Sequence, residues 1–363
     1  MRYRSKLAEV VPFSMMVMME GCTIGLTILA KTAMSGGMSP FVFVVYTNAL
    51  ATSLLFPFSF LYHRERVEKP FFTFRLLVRI FFLGLMGIAL SQNLAFLGLS
   101  FTSPIVVCEM GLLIPAFSFI LSSVLRITKL DCRSSSFHFK VIGTLISFTG
   151  AIVVEHFKGP YIRRASSSVL QLQHKRQLFI FYSTSNHWLL GSVLLAASSL
   201  CVSIWNMIQV RTVGEYPQVM KIASFYSLAG TIQSTIFCLI VERDVNAWKL
   251  KLNMELLLIF ATALFSGIIR SYVHISCTRL KGSLYVLMFQ PFRIVWASIF
   301  GIGFFVNSLH YGSVIGAAIS GVGYYTIVWG QIREDDKCKD LYVESIKCTD
   351  EKTLSLLQED TLV

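Results

Sequence analysis

The stretch VIGTLISFTG runs from Val141 to Gly150, and VIGAAISGVG runs from Val314 to Gly323. Both carry Val-Ile-Gly, then Ile-Ser, then Gly at the same spacing. On a helix, Gly143, Ser147 and Gly150 fall on one stripe, as do Gly316, Ser320 and Gly323. Gly312 adds a G-x-x-x-G step before Gly316. Such stripes of small residues let helices approach closely inside a bilayer. A chain that writes one helix face twice poses a question of direction, which the segments between the copies answer.

Of the 363 residues, 54% are hydrophobic and only 14% are charged, against roughly 25% charged in a soluble domain. The mean hydropathy of +0.64 points the same way, to a fold whose bulk solvent is lipid. The eight cysteines (Cys22, Cys108, Cys132, Cys201, Cys238, Cys277, Cys338, Cys348) form no C-x-x-C pair and meet no histidine cluster at zinc spacing. They read as small core hydrophobes, and neither a metal site nor a cofactor is implied. The net charge of +12 comes mostly from connectors between apolar runs, where basic residues signal membrane topology. No basic and aromatic stripe supports a nucleic-acid partner.

A hydrocarbon core about 30 Å thick needs roughly 20 apolar residues per helix. On that measure ten spans emerge, an all-α membrane protein: 10–32, 40–62, 76–99, 103–125, 139–157, 187–209, 219–241, 254–276, 282–305 and 309–330. The first is too long for a signal-peptide core and carries Glu20, so it reads as a retained helix. With the N-terminus in the cytosol, basic residues favour the inner side, despite Lys31 and the long 158–186 loop on the other face. Both termini are then expected inside.

The repeated motif occupies spans five and ten. Five crossings separate the copies, and five is odd, so the halves have opposite topology: an inverted repeat. Span four (GLLIPAFSFILSSV) and span nine (LMFQPFRIVWASIF) supply a second matched pair, each a proline before a long apolar half-helix. The expected organisation is a cytosolic N-terminus over 1–9, a first repeat over 10–157, a loop over 158–186, a second repeat over 187–330, and a disordered cytosolic tail over 331–363. Inverted repeats with broken helices near the midplane are the mark of secondary transporters.

Polar residues at bilayer depth need a partner or a water-filled cavity. The candidates are Glu20, Gln92, Glu109, Trp205, Gln209, Arg270, His274, Gln290 and Arg293, together with Pro115 and Pro291 as helix breaks. Each proline frees a carbonyl one turn back, at Gly111 and Leu287, and such a carbonyl either coordinates a ligand or marks a passive kink. The four charges Glu20, Glu109, Arg270 and Arg293 cancel. They form either buried ion pairs or a midplane site for a zwitterion, with Arg293 facing a carboxylate and Glu20 or Glu109 facing an amine. A buried carboxyl also suits proton coupling, because burial makes its charge costly.

An enzyme is the poorer reading. Every aspartate lies in a connector or the tail, and neither G-x-S-x-G nor a P-loop occurs. The expected partners are a small-molecule solute and the lipid bilayer. The alternative to transport is a membrane scaffold or receptor acting through the tail after Gln331.

LSQNLAFLGLSFTSPIVV, GTLISFTGAIVVEHFKGP, RLKGSLYVLMFQP and HYGSVIGA through YYTIVWGQ together resemble the plant Walls-Are-Thin-related transporters. These nodulin-like (UMAMIT) members of the drug/metabolite transporter superfamily carry EamA-type repeats. The resemblance extends from about residue 10 to 334. It implies ten helices in two EamA repeats and bidirectional transport of amino acids, with auxin moved by some relatives, in the plasma membrane rather than the vacuolar one. Glu20, Gln92, Trp205, Gln209, His274 and Pro291 sit in stretches that look like the family pattern. Leu112, Gln290 and the Phe305-Val306-Asn307 turn depart from it, as Glu109, Arg270 and Arg293 do.

Overall fold

The computed structural model describes residues 2–62, 73–126, 134–157, 187–216, 219–249, 254–304 and 311–359. The 158–186 loop and the Phe305–Asn307 turn lie outside them. The elements among the described residues are helical, with no strand. In order they are α1 (Arg2–Ser35), α2 (Pro40–Tyr62), α3 (Phe74–Phe101), α4 (Pro104–Val124), α5 (Ser135–His156), α6 (Trp188–Glu215) and α7 (Val219–Val241). Then come α8 (Met254–Leu264 continuing through Arg270–Lys281), α9 (Ser283–Leu287 and Phe292–Phe304) and α10 (Tyr311–Glu359).

Nine helices among the described residues are long and apolar enough to cross a membrane. The tenth crossing is α9, whose two pieces are 5 and 13 residues long because Pro291 cannot continue the helix. Glycine sets two of the turns: Gly37 between α1 and α2 and Gly282 between α8 and α9 have φ of 104° and 93°, where other residues are strained. Large apolar side chains such as Val193, Ile232, Ile240 and Leu257 stand exposed on the outside of the bundle, as a lipid-facing surface requires.

The two copies of the repeated motif pack on each other. A Cβ on Gly143 would stand 2.7 Å from the Gly323 carbonyl oxygen, and one on Gly316 would stand 2.8 Å from that of Gly150. Gly143 and Gly316 hold the same place in the motif, as do Gly150 and Gly323, so these are one contact made twice. Low numbers on α5 meet high numbers on α10 throughout: Ser136 and Lys140 lie against Gly330, while Phe157 lies against Gly312. The helices are therefore antiparallel, and a pseudo-twofold axis passes between them. Ser147 and Ser320, 173 residues apart like the motif copies, meet there, with the Ser320 hydroxyl donating to the Ser147 carbonyl at 3.2 Å.

The inversion extends along three consecutive helices. α3 contains a π turn at Leu85–Leu90 and α8 one at Phe265–Ile269, with Gly87 and Gly267 third in each. α4 breaks at Leu113 and α9 breaks over 288–291. At the centre stands α4, whose Ile105, Val106, Leu112 and Leu113 pack with Ile24 of α1, Leu195 of α6, Ile294 of α9 and Tyr324 of α10.

Lys31, expected on the outer face, stands near the end of α1, where it is buried and its ammonium donates to the Ser100 carbonyl at 2.7 Å. The last carbonyls of α3 carry the negative end of the helix dipole, which suits a cation. The tail, expected to be disordered from Gln331, continues α10 as helix to Glu359. It contains no proline or glycine and is rich in glutamate, lysine and leucine, so nothing in it stops a helix already nucleated in the bundle.

Candidate functional site

The break in α9 positions the central residue. Pro291 has no N–H to offer the preceding turn, the chain makes a tight turn over 288–291, and the helix restarts at Phe292. Arg293 is thereby the second residue of a new helix. Its Nε donates to Glu20 Oε2 of α1, forming an ion pair in which Glu20 is 1% exposed. Gly21, beside Glu20, makes the approach possible: the Trp296 ring lies 2.9 Å from where its Cβ would stand, and Trp296 Nε1 donates to the Val17 carbonyl at 3.0 Å. Deleting one partner of such a buried pair costs about 3–5 kcal/mol, because the other is left uncompensated.

Arg293 is not saturated by Glu20. Its Nη2 is buried and has no hydrogen-bond partner among the described residues. From α8, the π turn ends at Ile269 and hands on to Arg270, with His274 one helical turn later. Both lie within electrostatic reach of Glu20 and Arg293. Arg270 is half-buried and makes no hydrogen bond to a described residue, and His274 Nε2 is buried without a partner. Cys108 of α4 and Tyr324 of α10 complete the surroundings, each within reach of the same ion pair.

Tyr324 engages one of the carbonyls that the prolines free. The Leu287 carbonyl, freed by Pro291, accepts from the Tyr324 hydroxyl at 2.9 Å and from the Gln290 N–H at 3.2 Å. Both lone pairs are engaged, so it offers nothing to a ligand. The break in α4 is tied in the same manner from α6: Ser199 donates to the Met110 carbonyl at 2.7 Å and Ser203 to that of Ile114 at 2.9 Å. The Gly111 carbonyl receives the Leu113 N–H. Beside this break, apart from its chain neighbours and its own helix backbone, no described atom lies within 4 Å of where a Gly111 Cβ would stand. From Pro104 to Phe119 α4 has no exposed residue, and Gly111 itself is half-buried.

Glu109 leaves the group to which charge counting assigned it. It is 0% exposed and turns to the α5–α10 seam, where Oε1 accepts from the Ser320 hydroxyl at 3.0 Å and Oε2 has no partner. A one-residue step from Cys108 rotates a side chain by about 100° around a helix, enough to carry it from one face to another. Gln92 is bonded to Asn48 of α2, which donates to its Oε1 at 2.6 Å. Trp205 stacks edge-on to Tyr226 and sits against Gly87 in the π turn of α3, its Nε1 buried and unpartnered. Gln209 and Gln290 are half-buried. Tyr324, Trp296 and the α6 serines escaped the sequence reading, although Gly316, Ser320, Tyr324 and Val328 form one buried stripe at helical spacing.

With Glu109 removed, the formal charges of Arg270, Arg293 and Glu20 leave one positive. Partnerless guanidinium donors in a water-poor setting favour a planar anion that accepts two hydrogen bonds, which a carboxylate does.

Residues 14–155 match the EamA-like transporter family. Over 340 residues the chain is 55% identical to the WAT1-related protein At1g70260 of Arabidopsis thaliana, covering 93% of this chain and 91% of that one. The chain is a WAT1-related member of the EamA-like transporter family. A second Arabidopsis WAT1-related protein, At1g60050, is 56% identical over 335 residues, covering 90% and 89% of the two chains. A third, At3g28050, is 35% identical over 327 residues, covering 90% and 87%. A crystal structure of a protein 16% identical in sequence superposes with a TM-score of 0.51, covering 88% of this chain and 96% of that one, a likeness of fold. The family and the apolar helices together make this a multi-pass integral membrane protein of a transporter family.

Proposed function

We propose that the protein carries small carboxylate-bearing solutes, amino acids or auxin-like acids, across a plant membrane by alternating access at a site halfway through the bilayer. The two repeats, 10–157 and 187–330, are the units that rock about that site, with both termini in the cytosol and the plasma membrane as the setting. The observation that supports this reading is Arg293. It is anchored by Glu20 yet keeps a buried, unpartnered Nη2 beside Arg270, which has no hydrogen bond to a described residue. A solute carboxylate supplies both missing partners. Because Glu20 is committed to Arg293 and Glu109 faces elsewhere, the arrangement favours an acid's anion over the ammonium of a zwitterion as the group that is gripped.

The test is a flux screen of labelled amino acids and indole-3-acetate in proteoliposomes holding the full chain, with and without a pH gradient. Saturable uptake should appear, and Arg293→Gln should lower it by about tenfold or more, the loss of one charge-assisted bond of roughly 1.5–3 kcal/mol. Equal uptake in wild type and variant would remove Arg293 from the site.

A further inference from the structure

The α5–α10 seam holds a second set of polar groups, separate from the ion pair of α1 and α9. Glu109, Ser147 and Ser320 are each 0% exposed. Ser320 Oγ lies 3.0 Å from Glu109 Oε1 and 3.2 Å from the Ser147 carbonyl oxygen, while Glu109 Oε2 and Ser147 Oγ have no hydrogen-bond partner among the described residues. The groups meet on the pseudo-twofold axis, where the inverted halves touch.

A carboxylate there would be a charge with no counter-ion. The charged and titratable groups on every helix packed against this part of α4 are few. α1 brings Glu20 and α9 brings Arg293, which neutralise each other on the Cys108 side. α5 brings Glu155, of like sign, whose Oε2 is held by Trp188 Nε1 at 3.1 Å and Ser192 Oγ at 2.6 Å. α10 brings Tyr324, bonded to Leu287. α3 and α6 bring hydroxyl and amide groups to the core at this depth, among them Ser91, Asn93, Ser199 and Ser203, and α6 also carries the half-buried thiol of Cys201. None is a cation facing Glu109. Among the described residues, no group of three or more His, Cys, Asp or Glu side chains is placed to hold a metal ion.

We infer that Glu109 is a proton-binding site, occupied in the arrangement seen here, whose release is coupled to the conformational change of the bundle. In the seam the neutral acid fits as a hydroxyl among hydroxyls. When α4 carries Glu109 to water, the Oε2–H bond breaks, the proton passes to water, and the electron pair stays on the carboxylate. The charged form cannot return to the seam until it is protonated again, so proton binding biases one of the two states. The coupling role rests on the transport reading above; the proton itself does not.

Two measurements separate them. In lipid nanodiscs, the full-length protein at neutral pH should show the C=O stretch of a protonated carboxyl, shifted in heavy water, and Glu109→Gln, which keeps the shape and neutrality of the acid, should lack it. Absence of the band in wild type, or its persistence in the variant, would overturn the site. In proteoliposomes with labelled glutamine, the ratio of uptake with and without a pH gradient should exceed unity in wild type by an ordinary coupling factor of about 5–150 and fall to unity in Glu109→Gln. A ratio unchanged by the variant would overturn the coupling. If wild type moves no solute while the band is present and depends on Glu109, the transport reading falls and the proton site stands.

Discussion

At the scale of single residues, Arg293 does two jobs that substitution can separate. Arg293→Ala leaves Glu20 buried and uncompensated, so it should lower the melting temperature of the purified protein, a cost of about 3–5 kcal/mol. Arg293→Lys keeps a charge for Glu20 but lacks the planar fork, so it should melt near wild type while losing most solute uptake. A lysine variant that transports normally would show that only the ion pair matters. Glu20 and Arg293 were legible in the sequence because a charge inside an apolar run stands out. Their pairing, and the departure of Glu109 from them, were not, because partners depend on how each helix is rotated about its axis. Tyr324 was invisible for a different reason: in a membrane helix a tyrosine reads as one more apolar ring until its hydroxyl is seen on the Leu287 carbonyl.

At the scale of helices, the α5–α10 seam is set by glycines that allow backbone contact. Gly316→Leu and Gly143→Leu occupy equivalent places on opposite sides of the axis, and each would drive a side chain into the partner's backbone. Both should destabilise by at least the roughly 1–3 kcal/mol of an overpacked core, seen as matching drops in melting temperature. A large drop in one and none in the other would contradict the pseudo-twofold packing. The small-residue stripes and the opposed direction of their two copies were legible in the repeated motif and the odd number of crossings, but their packing on each other was not, because such a stripe suits any close helix contact. The breaks at Pro115 and Pro291 were legible too, because an interior proline removes a backbone donor, although Pro12 and Pro57 sit inside unbroken helices. The π turns in α3 and α8 were not: one extra residue in a turn has no signature in composition, and only the matched position of Gly87 and Gly267 reveals it afterwards. The helical extension to Glu359 has its reason in an uninterrupted run of good helix formers, which extends a helix already begun.

At the scale of the molecule, a transporter needs a path that opens to one side at a time past the site. On the transport proposal, such a path runs along the open side of Gly111, next to the α4 break and one helical turn from Cys108, which lies within electrostatic reach of Glu20 and Arg293. The bundle and its inversion follow from the sequence, but this opening does not, because a void is a property of many helices at once and no local pattern encodes it. The most direct test places a single cysteine at that position, Gly111→Cys, in a chain whose native cysteines are replaced by serine or alanine, and treats sealed vesicles with a membrane-impermeant thiol reagent from each side in turn. Alternating access predicts labelling from both sides, slowed by saturating solute. Labelling from one side only, or from neither, would contradict it.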